Sequence, residues 1–173
     1  LLASGGVVNE AKDTWYPTER ALAGSIAKRP GVVAEGYTIE KAEAIKEFLR
    51  PNMVNFVGCK RVLLEGVTIQ NSPAWCLHPL LSQHLTFRNL TIRNPWNAQN
   101  GDGLDIESCR YVLVENCKFD VGDDGICIKS GRDEEGRKRG DPTEDVIIRG
   151  STVFHDHGGF VIGSEMSGGA RNI

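Results

Sequence analysis

The sequence predicts an all-β protein: a parallel β-helix, incomplete at its C-terminus, that carries a partly helical insertion at its N-terminus. Two observations support this fold. A motif of two short alternating strands recurs from about residue 52 onward, and the bend between the two strands recurs at the same place in each copy. Such repeats are typical of solenoids, in which each coil stacks on the one before it.

The repeated motif occurs four times. Its copies are RVLLEGVTIQN from Arg61, HLTFRNLTIRN from His84, YVLVENCKFDV from Tyr111 and DVIIRGSTVFH from Asp145. Every second residue of the first strand is apolar, as a strand with one buried face requires. Two aligned columns are apolar throughout and are expected to face the interior: Val62, Leu85, Val112 and Val146, and Leu64, Phe87, Val114 and Ile148.

The bend in each copy falls at a glycine or an asparagine, the residue types that best tolerate a left-handed backbone conformation. This column consists of Gly66, Asn89, Asn116 and Gly150. A second strand follows the bend and alternates in the same way. Its inward column contains Ile69, Ile92, Phe119 and Val153.

The spacing of the copies favours a β-helix over other repeat folds. Val62, Leu85, Val112 and Val146 are separated by 23, 27 and 34 residues. Short strands in a core unit of about 22 residues, with loops of variable length, fit stacked coils. A leucine-rich repeat would add a regular helix or a Leu/Asn ladder to each unit. The hairpins of an antiparallel sandwich would not repeat the same pattern of apolar residues at equivalent positions.

A third strand is predicted in the later coils, where GLDIES from Gly103, GICIKS from Gly125 and GFVIGS from Gly159 align without gaps. Alternation predicts an inward set, which is Leu104, Ile106, Ile126, Ile128, Phe160 and Ile162. The outward set is Asp105, Glu107, Cys127, Lys129, Val161 and Gly163. Val54 and Phe56 fit the inward columns, whereas the register from Trp75 to Pro79 is ambiguous.

The chain divides into a non-repeating part, residues 1–51, and the β-helix coils, residues 52–173. We interpret the first part as an insertion or a lateral cap. An amphipathic helix is predicted within it from Ile39 to Leu49, with Thr38 as its N-cap.

The two ends of the sequence indicate a fragment. Residues 171–173 occupy the same positions in the repeat as residues 144–146, so the last residues begin another coil. The first residue is Leu1 rather than Met. We therefore expect a chain that is truncated at its C-terminus.

Composition excludes several classes of partner. Apolar residues make up 40% and charged residues 25% of the chain, and no apolar run approaches the roughly 18 residues of a membrane span. A net charge of -3 argues against a polycationic nucleic-acid surface. The five cysteines lack CxxC spacing, which predicts reduced or partly buried thiols rather than a zinc site. We expect no membrane or nucleic-acid partner, no metal and no cofactor.

Acidic residues converge at the entrance to the third strand. Asp102, Asp124 and Gly158 share one column, and the adjacent column contains Asp123 and His157. Neighbouring strands lie about 4.8 Å apart, so these side chains should be close in space. Repulsion between like charges raises the pKa of at least one carboxyl group, which suits an acid/base pair for glycoside hydrolysis. The alternatives are that each Asp-Gly pair forms only a turn, or that the carboxylates bind calcium.

Three blocks in this region resemble the polygalacturonase-like pectin hydrolases of glycoside hydrolase family 28. The blocks are NGDGLDIES at 100–108, VGDDGICIKSG at 121–131 and HGGFVIGSEMSGG at 157–169. They follow the family's order, and the resemblance covers residues 52–173.

The family motifs are matched unequally. Asn100, Gly101 and Asp102 replace the family's Asn-Thr-Asp, with glycine in place of threonine. The family's Gly-Asp-Asp is matched outright at residues 122–124. Asp156 stands where the Gly-His-Gly motif has its first glycine. The Arg-Ile-Lys motif, which binds the substrate carboxylate in the family, does not occur in the sequence.

The resemblance implies a right-handed β-helix that hydrolyses α-1,4-linked galacturonic acid in pectin or polygalacturonate with inversion. Asp123 would be the general acid, Asp102 and Asp124 would activate water, and His157 would orient or tune the acid. The GSEMSGG stretch is similar to the bacterial exo-acting branch. The partner would be an acidic plant cell-wall polysaccharide, and the full-length protein would be secreted or periplasmic.

Four further residues are candidates for substrate binding. Lys129 is the best cation for an anionic sugar, and Glu165 follows the His157 strand. Asn100 belongs to the first motif, and Trp96 lies just before it, where an aromatic ring could stack on a sugar.

Other functions remain open from the sequence. Rhamnogalacturonan or xylogalacturonan could be the substrate, since the residues that would decide lie in loops or outside the chain. A non-catalytic carbohydrate-binding β-helix would keep the coils but would not need the converging aspartates. A lyase would depend on calcium and yield an unsaturated product. The oligomeric state is not predicted.

We expect the isolated 173-residue chain to be nearly inactive on polygalacturonate. A truncated β-helix exposes an unpaired edge and an open core, and the Arg-Ile-Lys motif is missing. Reducing-sugar release by this chain measures the effect. Turnover at the rate of the full-length protein would contradict the prediction.

Overall fold

The computed structural model describes residues 6–8, 15–17 and 50–173. The chain forms two compact units, Leu1–Pro51 and Asn52–Ile173. In the first unit, β1 (Gly6–Val8) pairs antiparallel with β2 (Trp15–Pro17). The helix expected at 39–49 lies outside the described residues, and the role of residues 1–51 as an insertion or cap stays a prediction.

The second unit is built from coils of two or three short strands. Its elements are β3 (Val54–Val57), β4 (Lys60–Glu65), β5 (Thr68–Gln70), β6 (Leu77–Leu80), β7 (Gln83–Arg88), β8 (Thr91–Arg93), β9 (Leu104–Glu107), β10 (Arg110–Glu115), β11 (Lys118–Asp120), β12 (Ile126–Lys129), α1 (Asp133–Arg139), β13 (Thr143–Arg149), β14 (Thr152–Val153), β15 (Phe160–Ile162) and β16 (Ala170–Arg171).

These strands form three parallel sheets. Their strand orders are β4-β7-β10-β13-β16, β5-β8-β11-β14 and β3-β6-β9-β12-β15. Each step between neighbours leads from one coil to the next, so every sheet runs along the stack. The predicted all-β, parallel β-helix is confirmed.

The registers follow the predicted columns. Val112 pairs with both Leu85 and Val146, and Leu85 pairs with Val62. The interior is a single cluster that includes the fully buried Phe87 and the cysteines at 76, 109 and 117. All five thiols are free, as expected.

The bend column adopts the predicted backbone conformation. Its φ angles are +66° at Gly66, +55° at Asn89, +53° at Asn116 and +62° at Gly150. Glycine and asparagine are therefore used here because the chain must turn through the left-handed region.

Two residues predicted to face a closed interior are half exposed. Phe160 and Ile162 each show 48% of their surface to solvent. Both belong to β15, which is the last strand of its sheet, so no further coil of the described chain covers them.

The ambiguous segment forms β6, and its register is clear in the structure. Leu77 pairs with Val54 and with Leu104. Pro79 lies in the middle of this strand and has no N–H to donate, which weakens the strand pattern in the sequence.

The segment after β12 contains α1. Its first turn is acidic and its last turn is basic, which complements the helix dipole, and Gly140 ends it in the left-handed conformation. Arg139 extends from α1 to Glu107, at 2.8 Å between Nη1 and Oε1. Within the described part of the chain, no helix combines the length and apolar character needed to cross a membrane.

We expect Phe87→Ala to lower the free energy of unfolding by about 3 kcal/mol or more, because it leaves a cavity in the core. Phe87 is fully buried and packs on Phe56 with ring centroids 6.2 Å apart. Phe154→Ala is the control, since Phe154 is 59% exposed and should lose less than about 1 kcal/mol. Urea denaturation followed by circular dichroism compares them, and equal losses would contradict this packing.

Candidate active site

A cavity of about 390 Å³ lies on the outward face of the third sheet, at the entrance to its strands. Its lining includes all four predicted catalytic residues and three of the four substrate-binding candidates. The lining residues are Trp75, Asn100, Asp102, Asp123, Asp124, Lys129, His157, Gly158, Val161, Ser164 and Glu165.

Backbone hydrogen bonds between coils bring the carboxylates together. The N–H of Gly103 donates to the carbonyl of Asp124, and the N–H of Gly125 donates to that of Gly158, both at 2.9 Å. Asp102 therefore stacks on Asp124, which stacks on Gly158. A Cβ at Gly158 would lie 2.5 Å from Val161 and 3.3 Å from Asp124 Oδ1, so glycine leaves room for the carboxylate.

The adjacent column places His157 beside two carboxylates. Its Nδ1 lies 3.6 Å from Asp123 Oδ1 and 3.8 Å from Asp124 Oδ1. The imidazole is 83% exposed, so a ligand in the cavity can reach it. Asp123 also accepts a hydrogen bond at 3.0 Å from the backbone N–H of Asn100.

These three side chains could in principle hold a cation. Asp123, Asp124 and His157 each offer one ligand atom, and these atoms lie within 4.8 Å of one another. Exposed acidic groups often lie this close without binding metal, and none of the three is fully buried. The arrangement by itself does not assign a metal site.

Asp102 is the most buried carboxylate of the cavity, at 3% exposure. Burial, assisted by the charge of Asp123, raises the pKa of Asp102 to about 7, although Lys129 opposes the change. Burial and the Asp123 charge also raise the pKa of Asp124. The cavity therefore contains one carboxyl group, that of Asp102, that exchanges its proton near neutrality, as acid/base chemistry requires.

Lys129 is not the solvated lysine that an outward position on a strand suggests. It is 4% exposed, and its Nζ lies 4.6 Å from the centre of the Trp75 ring. The ammonium donates to Glu165 Oε2 at 2.8 Å and to the carbonyl of Gly163 at 3.2 Å. Its third neighbour is Asp105 Oδ1, at 3.6 Å. Protein groups therefore surround the charge.

Sequence reasoning missed two residues of this region. Trp75 occupies the Asp102 column one coil earlier, since the N–H of Cys76 donates to the carbonyl of Asp102 at 2.9 Å. The ambiguous register of β6 concealed this placement. Asp105 was assigned to the outward set and is fully buried behind Asp102. The available signal was an aspartate in the same column as Cys127 and Val161.

Trp96 is the predicted site residue that the structure does not bring into the cavity. Its side chain is 81% exposed and does not line it. Contact between Trp96 and a sugar stays a prediction.

A larger cavity, of about 620 Å³, lies over the first sheet near His84, Tyr111 and Asp145. Asp145 is the one carboxylate in its lining, so it lacks the partner that acid/base catalysis needs. We therefore place the candidate site in the smaller cavity.

Comparison with known proteins shows the family of this chain. The sequence model of the glycosyl hydrolases family 28 matches residues 35–173. A probable polygalacturonase of Vitis vinifera is 33% identical over 128 residues, which are 73% of this chain and 26% of that protein. An exo-poly-alpha-D-galacturonosidase of Dickeya chrysanthemi is 29% identical over 72% of this chain and 20% of its own length. The chain thus spans about a quarter of these relatives.

Solved structures extend the comparison. The crystal structure of a hyperthermoactive exopolygalacturonase from Thermotoga maritima aligns with a TM-score of 0.70 and 43% identity, over 90% of this chain and 35% of that one. A family 28 exopolygalacturonase from Yersinia enterocolitica aligns with a TM-score of 0.60 and 19% identity, over 99% and 36%, and supports the fold. The family model covers well over half of the chain, and the chain therefore belongs to the glycosyl hydrolases family 28.

Proposed function

We propose that this chain provides the acid/base centre of an enzyme that hydrolyses α-1,4-linked galacturonic acid in polygalacturonate, acting from chain ends. The observation that carries the proposal is one cavity lined by Asp102, Asp123, Asp124 and His157. Similarity to the exopolygalacturonase of Thermotoga maritima, at 43% identity, supports the substrate and the exo mode. No observation favours rhamnogalacturonan or xylogalacturonan.

The proposed mechanism assigns one carboxyl group as the proton donor and two as proton acceptors. Asp123 donates a proton to the leaving glycosidic oxygen, while Asp102 and Asp124 remove a proton from water. The water oxygen bonds to the anomeric carbon from the opposite face, and the bond to the leaving oxygen breaks, which inverts the anomer. His157, 3.6 Å from Asp123 Oδ1, orients the acid.

The contacts of Lys129 define how it can act on the substrate. Two of its three N–H groups donate to Glu165 and Gly163, and the third faces Asp105. We therefore propose that the charge of Lys129 reduces the repulsion between the carboxylates of the cavity and an anionic sugar, and that Lys129 makes no direct hydrogen bond to the sugar.

Asp123→Asn should abolish the release of reducing sugar from polygalacturonic acid by the full-length protein, a loss of about 1000-fold or more for removal of the general acid. Asp133→Asn is the control, because Asp133 is 79% exposed on α1. NMR of the first product follows its anomer, which should be inverted. An active Asp123→Asn variant would refute the acid, and a retained anomer would refute the mechanism.

The pKa of Asp102 should respond to its charged neighbours in opposite directions. Asp123→Asn removes a negative charge and should lower it, whereas Lys129→Met removes a positive charge and should raise it. Carboxyl carbon-13 NMR titration of the substrate-free protein measures both effects, with Asp133→Asn as the unchanged reference. Because Asp102 must be ionised to take a proton from water, kcat/KM should fall as the pH drops below about 7.

A further inference from the structure

We propose that Asp105 is a positioning residue of this site: it holds a proton and donates it in a hydrogen bond to Asp102, which thereby ionises as the base. The inference rests on the proposed function for its catalytic consequence. The protonation itself concerns the free protein and can be tested without substrate.

The first argument is the unsatisfied pair of buried carboxyl groups. Asp105 is 0% exposed and Asp102 is 3% exposed. No residue of the described chain donates a hydrogen bond to either side-chain oxygen of Asp105 or to Oδ1 of Asp102. A hydrogen bond between the two side chains contributes to the raised pKa of Asp105. Two carboxylates can only accept, so the pair satisfies itself when one of them carries a proton.

The second argument is that Lys129, the cation near Asp105 in the described chain, lies closer to another carboxylate. Lys129 Nζ lies 3.6 Å from Asp105 Oδ1 but 2.8 Å from Glu165 Oε2. Although burial raises the pKa of Glu165, its hydrogen bond from Lys129 outweighs burial, and the net pKa is lowered. Glu165 is therefore ionised and already balances the ammonium.

The charge of Lys129 lowers the pKa of Asp105 but does not outweigh burial, and the remaining neighbours in the described chain do not stabilise a charge there. The thiols of Cys76 and Cys127 stay neutral, because burial raises the pKa of both. His78 is next in register on β6, but its Nε2 binds Glu107 at 2.8 Å. The charge of Asp124 adds repulsion.

The depth of burial decides which of the two carboxyl groups keeps the proton. Burial, with repulsion from Asp102, raises the pKa of Asp105 well above its ordinary value, whereas that of Asp102 rises to about 7. As the pH increases, Asp102 therefore loses its proton first. A neutral Asp105 then donates to the Asp102 carboxylate, and a hydrogen bond to the charged form favours ionisation. A carboxylic acid kept neutral by its surroundings acts in this way as a donor.

Two substitutions separate this role from that of a counterion for Lys129. In Asp105→Asn the amide N–H replaces the acid proton toward Asp102, and the amide oxygen still faces Lys129. We expect the full-length Asp105→Asn protein to keep kcat/KM within about threefold of the parent, whereas Asp105→Ala should lower kcat roughly tenfold or more with KM little changed. The acidic limb of the Asp105→Ala pH profile should move up by about one unit.

If Asp105→Asn loses as much activity as Asp105→Ala, Asp105 acts as an anion and the proposal fails. Should Asp105→Ala not fold, as judged by circular dichroism, the comparison of Asp105→Asn with the parent still decides.

Carboxyl carbon-13 NMR provides a readout that does not depend on turnover. In the substrate-free full-length protein, one aspartate signal should keep the chemical shift of a protonated acid at neutral pH, and this signal should disappear in Asp105→Asn. A carboxylate shift for Asp105 at neutral pH would overturn the proposal. A parent protein inactive on polygalacturonate would refute the proposed function and leave the titration result standing.

Discussion

The hydrogen bonds between successive coils are the interaction on which the rest of this structure depends. Parallel neighbours lie about 4.8 Å apart, so whatever stands at one position of a coil meets its counterpart in the next. The inward columns through Val112 and Leu85 form the core in this way. The same rule brings Asp102 onto Asp124, although 22 residues separate them. A slip of one residue in a coil would turn its core side chains outward.

This stacking concentrates carboxyl groups on one face of the third sheet. Asp102, Asp105, Asp123 and Asp124 gather there, and Lys129 is the one lysine or arginine in the lining of the cavity. Because Glu165 binds the same ammonium, the region is short of positive charge. Such a cluster is unfavourable for stability, and proteins accept arrangements of this kind at functional sites, where raised pKa values serve proton transfer.

At β9 and β12 the outward face of the third sheet is covered rather than solvated, and this determines the electrostatics of the cavity. Trp75 packs over Lys129 on one side. Farther along the strands, α1 contributes Arg139, which binds Glu107, and Glu107 in turn binds His78. These contacts exclude solvent from the sheet, and interactions among charges are stronger where solvent is excluded. The irregular segments that contain Trp75 and α1 thus determine how far solvent is excluded from the carboxylates that the regular coils bring together.

The sequence by itself determined the period of the coils, their inward columns, the left-handed bends and the stacking of Asp102 on Asp124. All of these follow from backbone register, which alternation of apolar residues and the placement of glycine and asparagine encode locally. Only the tertiary structure decided that Asp105 and Lys129 are buried and that Trp75 lines the cavity while Trp96 does not. Alternation states which face a side chain is on, whereas its burial and its charged partners depend on groups brought from other coils.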